Sequence, residues 1–129
     1  MSFTLTLLAW STTLIAGYVL IQSLAYQLDV GVTHGAGPRD NERPLGKMAG
    51  RSRRALDNLG QTYAVFVALS LALELSGRAD GLSFWGGQLY FWARWVYLPS
   101  YLIGVPYVRS LCWLVSVLGL ALMFFAVVI

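Results

Sequence analysis

The chain has 129 residues, of which 57% are hydrophobic, and its mean hydropathy of +0.63 is higher than that of a soluble domain of this size. Its net charge is +3, but most of the nine basic residues lie between Arg39 and Arg54, in a segment flanked by apolar runs. This distribution favours contact with a membrane surface and argues against a nucleic-acid partner. We therefore expect a single membrane domain that covers residues 1–129.

The first apolar run covers residues 3–27 and contains no charged side chain. Because roughly 20 apolar residues cross a bilayer, this run is predicted to be a spanning helix. It lacks a basic start and a small-residue cleavage site, so we interpret it as a retained helix and not as a signal peptide. The glycines and prolines of residues 29–44 then predict a long polar loop. His34 lies in this loop without a cysteine or a second histidine nearby, and we predict no metal site.

Three further helices are predicted after the loop. The first covers residues 47–76 and would be about 45 Å long, so its first turns must protrude from a hydrocarbon core of about 30 Å or line a polar cavity. The next covers residues 83–103 and is rich in Trp and Tyr, and the last covers residues 107–129 and is the most uniformly apolar. The predicted fold class is therefore all-α, an integral membrane four-helix bundle.

The lysines and arginines predict the orientation of the bundle. The first loop and the start of the second helix are rich in basic residues, the third connection leads to Arg109, and the second connection has only Arg78. We expect the first and third loops to be cytoplasmic and both termini to be periplasmic, taking the membrane to be a bacterial inner membrane. On its own, Arg109 is most simply explained as a topology anchor.

The second predicted helix carries a polar stripe. Arg51, Arg54, Asn58 and Gln61 are spaced three, four and three residues apart, which places them on one helix face. Polar groups at membrane depth are costly and usually face a bundle interior or a cavity, as we expect for Asn58 and Gln61. For Arg51 and Arg53, an interfacial role in which they reach lipid phosphates is an equally open interpretation.

The third helix carries a second polar set. Arg94, Tyr97 and Tyr101 share one face, with Arg94 near the middle of an apolar stretch. This arginine requires an anionic or carbonyl partner, which Asp57, Glu74, a ligand carboxylate or a neighbouring subunit would supply. A structural ion pair for the arginine and ordinary aromatic packing for the tyrosines are the alternatives.

Together these segments resemble a known family. Residues 50–61, GRSRRALDNLGQ, followed by Phe91-Trp92-Ala93-Arg94 and then by Tyr101, Pro106 and Arg109, resemble the MAPEG family, the membrane-associated proteins of eicosanoid and glutathione metabolism. The resemblance covers the second to fourth helices and their connections. It implies a homotrimer of four-helix subunits that binds glutathione between subunits near the cytoplasmic face, while a lipophilic small molecule enters from the membrane lipids.

The resemblance also implies roles for individual residues. Glutathione, as the co-substrate, would be bound by Arg51, Arg54, Asn58, Gln61, Tyr97 and Tyr101, and the catalytic residues would be Arg94 and Arg109. Arg109 is similar in place to an arginine that is implicated in thiolate activation in some members. The pattern departs at Gln61, where the family usually has glutamate, and at Asp57, where it often has a basic residue. The glutathione amine thereby loses its expected carboxylate.

The sequence thus supports more than one function. A free thiol has a pKa of about 8.5, which cationic neighbours lower, and arginines hold carboxylates with two hydrogen bonds. The first hypothesis is a membrane-bound glutathione (or related thiol) transferase or peroxidase that acts on lipophilic electrophiles or hydroperoxides. The alternative is a non-catalytic lipid or fatty-acid binding or scaffold protein of the same fold. A small exporter is a third class, but it would be expected to carry an acidic residue within a span for proton coupling, and the first helix has none.

Overall fold

The computed structural model of the protein describes residues 1–31, 37–38 and 45–129. Within these residues the chain forms four α-helices: α1 (Phe3–Val30), α2 (Lys47–Ser76), α3 (Gly81–Ile103) and α4 (Pro106–Val128). The predicted all-α four-helix architecture is confirmed. Residues 32–36 and 39–44, which include His34 and most of the predicted polar loop, lie outside the described residues.

Local sequence explains where the helices begin and end. The Ser2 side chain accepts a hydrogen bond from the Leu5 amide and caps α1, and Asp80 forms a reciprocal capping box with Ser83 at the start of α3. Gly77 and Gly104 end α2 and α3 with φ angles of 70° and 84°, in the left-handed region that favours glycine. Only Gly104 and Val105 lie between α3 and α4. The two helices therefore form a tight hairpin.

Three of the helices that the structure describes, α1, α2 and α4, are long and apolar enough to cross a membrane. α3 does not reach that hydropathy, because it contains several glycines together with Gln88 and Arg94. It nevertheless buries much of its surface within the bundle, including Tyr90, Arg94 and Tyr97. The sequence predicts all four helices to span the membrane. In the structure, α3 depends on packing against the other helices more than on its own hydropathy.

The hairpin of α3 and α4 packs with its backbones in direct contact. A Cβ atom added to Gly86 would lie 2.6 Å from the Gly119 carbonyl oxygen, and one added to Gly119 would lie 2.5 Å from the Gly86 carbonyl oxygen. Only glycine permits this approach, as is common between membrane helices that associate through small residues. α3 and α4 therefore form a close pair against which the other helices pack.

The bundle interior is mainly apolar and aromatic, with Phe66 of α2 stacked on Tyr90 of α3 at a centroid distance of 4.6 Å. One end of the bundle is more polar, and we call it the polar end: there α1 ends, α2 begins, α3 ends and α4 begins. Lys47, Arg53 and Arg54 are exposed at this end. Positive charge is therefore concentrated at the surface of this end of the bundle.

Candidate functional site

An open groove of about 640 Å³ lies at the polar end, between α2 and the α3–α4 hairpin. We call it the arginine groove, and it is lined by Arg54, Asp57, Asn58, Gln61, Tyr97, Tyr101, Arg109, Ser110, Trp113 and Leu114. Three helices thus contribute to one cleft. Six of the side chains that the sequence predicts as site residues meet here: Arg54, Asn58, Gln61, Tyr97, Tyr101 and Arg109.

Helical spacing explains the α2 wall of the groove. Arg54, Asn58 and Gln61 are one turn apart on the same face, and Asn58 is half-buried whereas the other two are exposed. Asn58 therefore lies on the groove floor. Asp57 also lines the groove, and it is the only acidic residue among the described residues of the lining.

Tyr101 holds the two arginines of the groove. Its hydroxyl accepts a hydrogen bond of 3.0 Å from Nε of Arg54, whose guanidinium carbon lies 5.8 Å from the ring centroid. The guanidinium carbon of Arg109 lies 4.8 Å from the same centroid, within the range of a cation–π contact. Two positive charges from α2 and α4 are therefore directed to one region of the groove by a single aromatic side chain of α3.

Arg94 lies behind the groove floor and is fully buried. Its Nη1 donates a hydrogen bond of 2.9 Å to Oδ1 of Asn58, and its guanidinium carbon lies 4.3 Å from the Tyr97 ring centroid. Nε and Nη2 have no hydrogen-bond partner among the residues that the structure describes. A buried charge with two unsatisfied donors is costly, and both of its contacts, Asn58 and Tyr97, line the groove. Asn58 and Tyr97 thus lie between the Arg94 guanidinium and the arginine groove.

Tyr18 of α1 contributes to the same region, although sequence reasoning did not select it. It is fully buried, and its hydroxyl donates a hydrogen bond of 2.5 Å to the backbone carbonyl of Arg94. This contact fixes the point on α3 from which the arginine side chain extends. Tyr18 and Arg94 lie 76 residues apart in the chain, so no local sequence signal indicates the contact.

The carboxylates that the sequence offers as candidate partners of Arg94 lie elsewhere. Asp57 lines the groove, and Glu74 accepts a hydrogen bond of 2.7 Å from the Ser2 hydroxyl at the opposite end of the bundle. Within the described part of the chain, neither carboxylate pairs with Arg94, and the uncharged amide of Asn58 takes their place. Of the candidate partners for Arg94, the structure therefore removes Asp57 and Glu74, and a ligand carboxylate or a neighbouring subunit stays a prediction.

Arg51 lies beside the arginine groove and does not line it. It lines a smaller hollow of about 210 Å³ together with Arg54, Tyr101 and Arg109. Its Nη1 donates a hydrogen bond of 2.9 Å to the Leu102 carbonyl, one of the carbonyls that a helix C-terminus leaves without a helical partner. The end of α3 is thus tied to the start of α2, and Arg51 has a structural contact where sequence predicted a ligand contact.

Sequence reasoning missed three groove residues on α4. Ser110, Trp113 and Leu114 follow Arg109 at helical spacing and are all exposed. The available signal was the periodicity itself, because Trp113 lies four residues after Arg109 and Leu114 lies four residues after Ser110, so the two pairs form adjacent rows along α4. Trp113 and Leu114 give the α4 side of the groove an apolar stretch about one turn beyond Arg109. The groove can therefore accept a ligand with both an anionic and a lipophilic part.

Comparison with known proteins gives one result for the family. A search of curated proteins and a search of solved structures each found no match. A model of the MAPEG family matches residues 1–129. Taken with the three apolar helices, this match makes the protein an integral membrane protein. Because the match covers every residue, the chain belongs to the MAPEG family.

Proposed function

We propose that the protein is a membrane-bound transferase or peroxidase that uses glutathione or a related thiol against lipophilic electrophiles or hydroperoxides. One observation carries the proposal: Arg54 and Arg109 converge on one groove whose floor, Asn58, is hydrogen-bonded to the buried Arg94. Membership of the MAPEG family supports glutathione as the co-substrate. The catalytic roles rest on this arrangement of charges.

The arginines would bind and activate the thiol. A guanidinium holds a carboxylate bidentately, and a cation beside a thiol favours the thiolate, which is the nucleophilic form. We assign carboxylate binding to Arg54 and thiolate stabilisation to Arg109, with Arg94 reinforcing the positive potential through Asn58. The Asp57 carboxylate would accept hydrogen bonds from the ammonium group of glutathione. It would thereby replace the carboxylate that is missing at position 61, where this chain has Gln61.

The proposed chemistry has two forms. With an aryl halide, the thiol proton leaves to water, the sulfur attacks the ring carbon, a carbon–sulfur bond forms and the halide departs with the bonding electrons. With a lipid hydroperoxide, the sulfur attacks the terminal oxygen and the O–O bond breaks. The alkoxide then takes a proton to give an alcohol, and a second thiol reduces the sulfenic acid to a disulfide and water. Both reactions need the thiolate that the groove stabilises.

We also propose the membrane setting of the groove. Lys47, Arg51, Arg53 and Arg109 lie towards the polar end, whereas Arg78 lies at the opposite end, so a cytoplasmic polar end with periplasmic termini follows the positive-inside rule. The exposed Trp113 and Leu114 would then admit a lipophilic substrate from the bilayer of a bacterial inner membrane. Assembly as a homotrimer is part of the same proposal and is supported by family membership.

A second candidate function is supported by the same groove. Its two arginines and its apolar α4 wall also suit a fatty acid, with the carboxylate on Arg54 or Arg109 and the chain along Trp113 and Leu114. Such a protein would bind lipid without catalysis. Gln61 favours this alternative, because a fatty acid has no amine that requires a carboxylate.

Equilibrium binding of glutathione to the detergent-purified protein tests the proposal, with thiolate absorbance and turnover of chlorodinitrobenzene measured on the same sample. We expect saturable binding, a thiolate signal and turnover. Arg54→Ala should weaken glutathione binding about tenfold or more, because a hydrogen bond to a charged group contributes about 1.5–3 kcal/mol.

Arg53→Ala is the matched control, because Arg53 is the neighbouring arginine on α2 but does not line the groove. It should bind glutathione as the wild type does. No saturable binding of glutathione together with tight binding of oleate would reject the enzyme and support the fatty-acid alternative.

A further inference from the structure

Two depressions meet where α1 ends and α2 begins, outside the arginine groove. One is basic and the other apolar, and they share Gly46 and Lys47 in their linings. We propose that together they form a binding site for one phospholipid molecule, with the phosphate in the basic depression and an acyl chain in the apolar one. The proposal does not rest on the thiol chemistry, although the basic depression shares Arg54 and Asp57 with the arginine groove.

The basic depression has a volume of about 550 Å³. Its lining among the described residues is Leu45, Gly46, Lys47, Gly50, Arg51, Arg53, Arg54 and Asp57. Four of these side chains are cationic and one is anionic, which leaves a net charge of +3, equal to that of the whole chain. Lys47 and Arg53 are exposed, and the structure records no hydrogen bond or ion pair between either of them and another described residue. Two cations are thus available to an external anion.

The floor of the basic depression is open because it contains glycine. A Cβ atom at Gly50 would lie 3.1 Å from Nη1 of Arg54, whose guanidinium crosses back over this position. The Arg54 side chain therefore borders both the basic depression and the arginine groove. Lys47 and Arg53, by contrast, line only the depressions of the proposed lipid site, and they can be changed without altering the groove lining.

The apolar depression has a volume of about 450 Å³ and lies between the last turns of α1 and the first turn of α2. Its lining includes Ile21, Ala25 and Leu28, which are spaced four and three residues apart on one face of α1, and Met48 of α2. These α1 residues extend for roughly 10 Å along the helix at 1.5 Å per residue. Leu28 and Met48 are largely exposed, at 88% and 53%. The depression is therefore an apolar channel in which both of these side chains are largely accessible.

Asp29 lies at the junction, where its carboxylate contacts the start of α2. One of its carboxylate oxygens accepts a hydrogen bond of 2.5 Å from the Gly46 amide at the start of α2. This contact leaves Lys47 as the charged group that faces both depressions. A ligand that fills both would therefore place an anion on the α2 side and hydrocarbon along α1.

The length of α2 sets the depth of the site. At about 45 Å, α2 exceeds the hydrocarbon thickness of about 30 Å, so its first turns extend into the headgroup region. The basic depression lies at these first turns, and the apolar one follows α1 back towards the hydrocarbon core. Charge and depth together match a phospholipid of the adjacent leaflet, because its phosphate and acyl chain follow the same order.

Native mass spectrometry of the full-length protein, released from detergent with defined additives, tests the proposal. The additives are phosphatidylglycerol, inorganic phosphate and diacylglycerol, each added separately and as a competitor. We expect retention of phosphatidylglycerol and little competition by either fragment, because each fragment fills only one depression. Equal retention of diacylglycerol, or full competition by inorganic phosphate, would refute a two-part site.

Two variants examine the two halves of the site. Lys47→Gln combined with Arg53→Gln should weaken retention of phosphatidylglycerol roughly 30-fold, since each cation near an anionic lipid contributes roughly fivefold. Ala25→Phe should weaken retention by filling the apolar channel, and Ala25→Leu should do so less. Arg78→Gln is the matched control, because Arg78 lies at the other end of the bundle and donates to the Val127 carbonyl. Helical circular dichroism confirms that each variant is folded.

Wild-type retention in the Lys47→Gln, Arg53→Gln variant would exclude the basic depression as the phosphate site. An equal loss in Arg78→Gln would show that overall charge, and not this site, governs retention. Wild-type retention in folded Ala25→Phe would exclude the apolar channel and reduce the site to a headgroup contact, which contradicts the proposal.

Discussion

Replacement of Asn58 by leucine should destabilise the protein out of proportion to the size of the change. Asn58 supplies the hydrogen bond recorded for the buried guanidinium of Arg94, whose Nε and Nη2 have no partner in the described part of the chain. Asn58→Leu keeps a side chain of similar size but leaves the charge without that acceptor. A hydrogen bond to a charged group contributes about 1.5–3 kcal/mol, and we expect the free energy of unfolding to fall by about 2–3 kcal/mol.

A second substitution should rescue this loss. Arg94→Met removes the charge but keeps a long apolar side chain, and it leaves the hydrogen bond from Tyr18 intact because that bond is to the backbone of residue 94. Replacing both members of a buried polar pair by apolar groups is often close to neutral. We therefore expect Asn58→Leu with Arg94→Met to be more stable than Asn58→Leu alone, although the contact of the guanidinium with Tyr97 is lost.

Unfolding of the detergent-solubilised protein by denaturant, followed by circular dichroism, measures these differences. Gln61→Leu is the matched control, because Gln61 lies one turn further along α2 and is exposed, and its change should stay within about 0.5 kcal/mol. If Asn58→Leu were as stable as Gln61→Leu, Arg94 would not depend on Asn58. If the double variant were less stable than Asn58→Leu, the unpaired charge would not be the cause of the loss.

Three further predictions concern the groove and the hairpin. Arg109→Ala should lower turnover about 100-fold while changing thiol affinity much less, because a cation that stabilises the thiolate acts mainly on the reacting state. Equal losses of turnover in kinetic assays and of thiol affinity in binding assays would contradict the assigned role of Arg109. Gln61→Glu should tighten glutathione binding up to about fivefold by adding an ion pair with the amine, and weaker binding by calorimetry would show that the amine lies elsewhere. Gly119→Ala should cost about 1–3 kcal/mol of unfolding free energy, because its Cβ would meet the Gly86 carbonyl at 2.5 Å. Gly60→Ala, which meets no atom within 4 Å, should not destabilise the protein in the same denaturation assay.

The helical layout follows closely from the sequence because the breaks between helices contain glycine, proline or a capping residue. α2 begins and ends at the predicted residues, whereas α1 continues to Val30, since the backbone leaves helical geometry only at Gly31, with φ of 91°. α3 begins at Gly81 because the Asp80–Ser83 capping box fixes its first turn. Such local signals depend on a few neighbouring residues and are readable without a structure.

The composition of the site follows from the sequence only in part. The spacing of Arg54, Asn58 and Gln61 predicts a common face, and all three line the groove. Arg51 has the same spacing but bonds to the Leu102 carbonyl, because a helix end brought close by the tertiary fold offers an unsatisfied acceptor. Asp57 lies outside the predicted stripe, yet the groove is wide enough to include it. Periodicity gives a helix face but not the width of the cleft that the face borders.

The surroundings of Arg94 show what sequence cannot supply. Its position within an apolar stretch indicates a buried arginine that needs a partner. The structure confirms that Arg94 is buried. The answer depends on how three helices are rotated against each other, which brings Asn58 of α2 and Tyr18 of α1 to the same turn of α3. The sequence indicates an anionic or carbonyl partner, and in the folded bundle the carbonyl oxygen of the Asn58 amide accepts the hydrogen bond.

The low apolarity of α3 has a consequence for how the protein enters the membrane. This helix contains a fully buried arginine and does not qualify as a span by hydropathy, yet it is joined to the most apolar helix by only two residues. A segment of this kind inserts poorly as a single unit, so we expect α3 and α4 to enter the bilayer together as a hairpin, closed by the Gly86–Gly119 contact. During synthesis, α3 would then stay at the insertion machinery until the ribosome has also released α4. Biogenesis would therefore be more sensitive to the apolarity of α4 than the finished bundle is.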